Sequence, residues 1–282
     1  MTNELYTDAF KKLNTKTQTA YEHHYNRLMN LTNNRSVLDF KDDVNELINI
    51  LKKTDIPPSS KKSILNVISI ILNTRENPIK TITDYREELD TKHYENKQES
   101  NKELISELPT LTELNNFLDD LYSEKKYREY IINYLMIRFA VRNMDLDVII
   151  TDDKSKVNKV DNFLLITKTY ISFIVNRYKT RDVYGSKKMK IEIKPFMYAV
   201  KKLYEECGDE VCKLLVNVDG NEVKDKNKFI QQRTYNKLGE GKIFKALVSD
   251  YISRGKISTA RLLGKTRGTD METILKDYYV EE

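Results

Sequence analysis

The sequence predicts a mainly helical fold with a small antiparallel β-sheet, arranged as two domains, and three observations carry that expectation. All eight glycines lie at or after Gly185, so the first 184 residues contain none. Apolar residues recur at helical spacing through most of the chain. Only the region 163–193 switches to the apolar/polar alternation of strands. Among 282 residues, 39% are hydrophobic and 32% charged, with five prolines, which excludes a collagen-like or low-complexity chain and leaves enough for two ordinary cores.

From the N-terminus, residues 17–31 place Tyr21, Tyr25, Leu28 and Leu31 on one helical face. Residues 43–52 do so with Val44, Leu47, Ile48 and Leu51, and 60–72 with Ile64, Val67, Ile68 and Ile71. Pro57-Pro58 followed by Ser59-Ser60 marks a turn and the start of the third helix. A polar helix over 79–94 completes a helical domain, 1–96. The stretch 97–108 loses periodicity and reads as a linker running into Pro109.

The second domain, 109–282, opens with a helix near 112–121 and a long apolar one near 127–141. Segments 163–167, 170–176 and 188–193 then form a three-stranded antiparallel sheet; in the last, Met189, Ile191 and Ile193 alternate with Lys188, Lys190 and Glu192. Pro195 starts a helix to about 207, and three more follow near 243–253, 257–263 and 269–279. Cys207 and Cys212 have no other cysteine and no nearby histidine, so free thiols in a reducing compartment are expected. No apolar run approaches the roughly 20 residues of a membrane span, and Glu4 and Asp8 interrupt any signal peptide, so the expectation is a soluble chain that is not secreted.

The net charge is only +5, but its excess is C-terminal. Residues 1–100 hold 15 basic and 15 acidic side chains, whereas 168–202 hold ten basic and two acidic, and 226–267 eleven and two. Two basic stretches brought together by folding would attract a polyanion such as DNA through its phosphates. The expected contacts are Arg177, Arg181, Lys187, Lys188, Arg254, Arg261 and Arg267. A solvated lysine-rich face is the alternative.

Three features bear on chemistry. Arg142 closes the segment IRFAVR, with Asp145 placed three residues on to orient its guanidinium through charge-assisted hydrogen bonds; an arginine so held suits a phosphate. A merely structural Arg–Asp pair is the alternative. Lys179 sits between two strands, at or near the tip of a hairpin. The C-terminus carries LLG at 262–264, then Gly268, and Tyr278-Tyr279 ahead of a short tail.

This succession resembles the tyrosine recombinase (phage integrase) family. The likeness covers both domains: TQTAYEHHYNRL at 17–28 is similar to the opening of the family's helical core-binding domain, and 109–282 to its α+β catalytic domain. YKT followed by YG, at 178–185, resembles a variant found in recombinases of large DNA viruses and mobile elements. The resemblance implies a site-specific recombinase or integrase, active in DNA integration or recombination. A tyrosine attacks a phosphodiester to give a 3′-phosphotyrosyl intermediate and a free 5′-hydroxyl, with no metal or nucleotide cofactor. Arg142 would be the first arginine clamp, Lys179 the general acid and Tyr278 the nucleophile, with Tyr279 the alternate.

The family's His-x-x-Arg element stands here as Lys242-Ile-Phe-Lys245, and the residue after its later glycine as Thr269, or Lys265 if the gap falls elsewhere. All three histidines, His23, His24 and His93, lie in the N-terminal third. Lys245 lacks the planar fork of a guanidinium, a loss of about 2–4 kcal/mol in transition-state stabilisation. Three readings follow: a divergent working recombinase; a recombinase-fold DNA-binding or architectural protein without cleavage; and, ranked last, a type IB topoisomerase. The partners implied are double-stranded DNA, gripped by a C-shaped clamp with steep salt dependence, and a DNA-dependent homotetramer, with no membrane. The tail after Tyr279 is too short to donate a helix to a neighbour. An intracellular setting is implied, in cytoplasm, nucleus or a viral replication compartment.

Overall fold

Short polar side chains start most helices of the N-terminal unit, residues 1–99 of the computed structural model. The structure describes residues 4–74, 76–208, 211–217 and 219–278, the side chains of 97, 98, 101, 102, 183, 184 and 276–278 excepted. Thr7 caps α1 (Asp8–Lys11), Asn14 caps α2 (Thr15–Leu31) by accepting from Thr17 N at 3.0 Å, and Asp43 caps α3 (Val44–Lys53) through Glu46 N. Pro58 opens α4 (Pro58–Ile71), where a missing N–H costs nothing. Leu28, Phe40, Leu47, Leu51, Ile64 and Ile68 are buried together in this unit's core.

The next helix corrects an expectation. α5 runs over Lys80–Ser106, through most of the stretch read as a linker at 97–108. Among the described residues, only its start carries core side chains, Ile82, Tyr85 and Leu89. Beyond these, Lys, Gln and Glu are good helix formers and sustain the helix after its apolar stripe has ended. It stops shortly before Pro109, whose ring excludes a helical conformation for Leu108.

The C-terminal unit, 100–282, takes in the last residues of α5 and continues with α6 (Leu111–Ser123), started by a capping box between Thr110 and Glu113. α7 (Tyr127–Phe139) is buried over Tyr130–Ile137, so no single face reads as apolar. The chain then gives β1 (Val148–Thr151), β2 (Asn162–Ile166), β3 (Ile171–Val175), the single turn α8 (Arg181–Tyr184) and β4 (Lys187–Ile191). α9 (Lys194–Glu206), β5 (Cys212–Lys213), α10 (Lys226–Gln231), α11 (Glu240–Ser253), α12 (Ile257–Arg267) and α13 (Met271–Tyr278) follow.

The fold class is therefore mainly helical with a small sheet, but that sheet is mixed and five-stranded, in the order β4-β3-β2-β1-β5. The three antiparallel strands expected are β2, β3 and β4, with Leu164 opposite Phe173 and Phe173 opposite Met189. β1 adds parallel to β2, and β5 antiparallel to β1. Both additions escape periodicity: β1 is four residues with buried side chains on both faces, and β5 is two residues long.

The cysteines also depart from expectation. α9 ends at Glu206, the chain turns through Gly208 at φ +60°, and Cys212 returns to open β5. The Cα atoms of Cys207 and Cys212 come to 5.4 Å, and the sulfurs form a disulfide, so they are not free thiols. Among the described residues no helix is long and apolar enough to cross a membrane.

Candidate active site

The site is built where two helix ends meet, each capped by an arginine from the other. α7 terminates at Ala140, in the left-handed conformation at φ +51°, which exposes the last carbonyls of the helix. Arg267 Nη1 donates to Ala140 O at 3.1 Å and to Val141 O at 3.4 Å. In return, Arg142 Nη1 donates to Arg267 O, at the C-terminus of α12. Guanidinium charge at two helix C-termini is the favourable arrangement, because that is where unpaired carbonyls and the negative dipole end lie.

A third cation joins the two arginines. Lys187, the first residue of β4, donates from Nζ to Thr266 O at 2.6 Å and lies 4.0 Å over the Tyr178 ring. Arg142 and Lys187 thus approach neighbouring carbonyls of the last turn of α12. Burial pushes the Lys187 ammonium below its ordinary pKa, with Asp145 opposing and Arg142 adding to the shift. Burial pushes the Asp145 carboxyl up, against the pull of Arg142 and Lys187. Asp145 does not use its carboxylate as expected: Oδ2 accepts the Arg142 backbone N–H at 2.9 Å, and Oδ1 is buried without a hydrogen-bond partner.

Asn162, fully buried at the start of β2, holds the loop that follows β3 against this turn. Its Oδ1 accepts from Asn176 N at 2.8 Å and Arg177 N at 2.7 Å, while Nδ2 donates to Asp145 O and Arg177 O. Sequence reasoning missed this residue; its one signal is a polar amide opening an apolar strand. Tyr178 closes the other side by donating to Gly185 O at 2.6 Å.

Lys179 therefore stands in a long loop that includes α8, not at a tight hairpin tip, and it is exposed. Its neighbour Thr180 packs against Gly268, where an added Cβ would collide with the threonine side chain and φ is +74°. Gly264 is required for a different reason: a Cβ there would meet Ile274 and come within 2.8 Å of the Thr269 carbonyl. Thr269 N donates back to Gly264 O at 2.8 Å, and Asp270 caps α13 by accepting from Thr273 N at 2.7 Å, so this helix starts at Met271 and not at Thr269. Tyr278 is its last residue, with a side chain outside those described, and Tyr279 lies outside the described residues.

The remaining predicted residues separate. On α11, Lys242 is exposed and Lys245 is buried at 8% exposure, so the pair does not present one cationic face. Lys188, Arg261 and Lys265 are exposed; Arg177 is paired with Asp147, Arg254 with Asp250 at 2.8 Å, and Arg181 donates to Lys159 O.

Arg267 corrects the list of DNA contacts, because it is only 5% exposed. Its Nη2 pairs with Glu240 at 3.0 Å and its guanidinium lies 4.7 Å over the Phe244 ring. Glu240, the first residue of α11, also accepts the Asn143 backbone N–H, so one carboxylate ties three elements together. Arg267→Met is expected to lower stability by about 3 kcal/mol, the cost of breaking a buried ion pair on one side. Arg261→Met, at an exposed side chain, should leave the denaturation midpoint unchanged within error. Urea titration of the two variants measures both, and equal stabilities would refute the structural role of Arg267.

No family model matches the chain, and no curated protein matches it. Among solved structures, the chain is similar to one titled "Crystal structure of XerA recombinase", at 11% sequence identity over 99% of this chain and 92% of that one, with a TM-score of 0.40.

Proposed function

We propose that this protein binds duplex DNA and transfers strands through Tyr278. The observation that carries the reading is the approach of Arg142 and Lys187, distant in sequence, to the end of α12, from which α13 leads directly to Tyr278. The Tyr278 oxygen attacks phosphorus, its proton passing to water; the bond to the 5′-oxygen breaks, and a lysine ammonium protonates that oxygen. The phosphotyrosyl ester conserves the broken bond's energy, and the reverse step rejoins the DNA. Arg142 supplies hydrogen bonds to the non-bridging oxygens. Lys242, Lys245 and Lys265 add positive charge, and Lys179, Lys188 and Arg261 hold flanking phosphates. Recombination through this chemistry uses a DNA-dependent homotetramer.

Two lysines compete for the general-acid role. Lys187 is favoured over Lys179 because it is half-buried beside Arg142 and Asp145. A general acid acts while protonated, so cleavage falls as pH rises through its pKa, and a lowered pKa moves that alkaline limb down from the ordinary lysine range. The expected result is that Lys187→Arg moves the limb upward, while Lys179→Arg leaves it in place. A limb that follows Lys179 instead would reassign the acid.

The deciding experiment uses a nicked duplex that loses its 5′-hydroxyl strand after cleavage, and looks for covalent protein–DNA adduct on a denaturing gel. A second reading, DNA binding without cleavage, is favoured by the burial of Arg267 and Lys245, which places two cations inside the protein. Duplex binding without adduct selects it.

A further inference from the structure

A cavity of about 390 Å³ opens on the C-terminal unit between α6, α7 and the stretch leading into α9. That volume is in the range of small-molecule sites. Tyr130 and Tyr134 line it from α7, and both are more than nine-tenths buried, at 5% and 6% exposure. Neither hydroxyl has a hydrogen-bond partner among the described residues, and both residues line the cavity. A phenol buried to this degree ordinarily finds a partner. Asn115 Oδ1, on the facing wall, is buried and unpartnered as well.

Two opposite charges share this cavity without neutralising each other. Arg138 lies one turn beyond Tyr134, 5.9 Å from its ring, and makes no ion pair among the described residues. Asp119, on α6, also lines the cavity and is unpaired among them. Both are close enough to act electrostatically on the Tyr130 hydroxyl. A purely anionic ligand would be repelled by Asp119, and a purely cationic one by Arg138. Leu118 and Ile193 supply an apolar wall.

We infer that this cavity binds a small zwitterion of the α-amino acid class with an apolar side chain. Its carboxylate meets Arg138 and the Tyr130 and Tyr134 hydroxyls, and its ammonium meets Asp119 and the Asn115 carbonyl. The two phenols act as donors, and burial raises the pKa of each, so they keep their protons throughout the neutral range. The site does not depend on the strand-transfer reading.

Calorimetry on the full chain without DNA tests this with L-phenylalanine, its N-acetyl derivative and its amide. Phenylalanine is expected to bind, and each blocked form to bind about tenfold more weakly, the loss of one charge-assisted contact. Arg138→Gln should weaken phenylalanine about tenfold and leave the amide unaffected; Asp119→Asn should do the same for the acetyl derivative. Both residues are exposed, so the variants keep the fold. Tyr134→Phe, which preserves the ring, should weaken phenylalanine several-fold. Absence of heat with phenylalanine and with leucine up to about 20 mM overturns the proposal, as does binding that ignores both charge variants.

Discussion

Tyr278→Phe should abolish covalent adduct on the nicked duplex while leaving duplex affinity within about twofold of wild type. The substitution removes one hydroxyl and nothing else, at the last residue of α13, so the cap at Asp270 and the packing of Ile274 against Gly264 persist. The nucleophilic oxygen has no substitute on a phenyl ring, so the effect is loss of reaction and not a slower rate. The parallel variant Tyr279→Phe should retain adduct. If adduct survives in Tyr278→Phe and vanishes in Tyr279→Phe, the nucleophile is the neighbouring tyrosine; if it survives in both, the tyrosine mechanism is wrong for this chain.

Arg142→Ala should have the next largest effect, and it has two separable parts. One is structural: the guanidinium bond to Arg267 O at the end of α12 disappears, costing about 1.5–3 kcal/mol of stability, the range for a hydrogen bond to a charged group. The other is chemical: loss of a fixed cationic donor to the phosphorane-like transition state slows adduct formation about 10²–10³-fold. Arg142→Lys separates them. An ammonium can still reach the carbonyl, so most of the stability returns, but it cannot give the planar two-pronged contact, so most of the rate does not. Stability by urea titration and single-turnover adduct formation on fully folded protein measure each part. A rate that recovers with stability would mean that Arg142 acts only as a helix cap.

The same two arginines show where the sequence was legible. Helix positions in both units followed from apolar periodicity and caps because these are local: Asn14, Asp43 and Thr110 bond to backbone within three residues. β4 was visible because Lys188 and Lys190 alternate with Met189 and Ile191. β1 and β5 were not, because a four-residue strand and a two-residue strand show no period. α5 was cut short because a helix of good formers needs no apolar stripe to continue.

Arg142 and Arg267 look alike as residues in basic surroundings, and the stretch around Arg267 reads as a solvated DNA-facing run. Their difference is tertiary. α7 ends at a left-handed alanine whose carbonyls face α12, so Arg267 turns inward to cap them and to meet Glu240, while Arg142 turns toward the end of α12. Lys187 and Lys179 divide in the same way, since Asn162 and Tyr178 fix which of the two is drawn in beside Asp145. The order of candidate residues along the chain and the helical class of the fold could be read from local pattern. Which cations meet at one place depended on hydrogen bonds between segments more than a hundred residues apart, such as Arg142 to Arg267, and no local pattern records those.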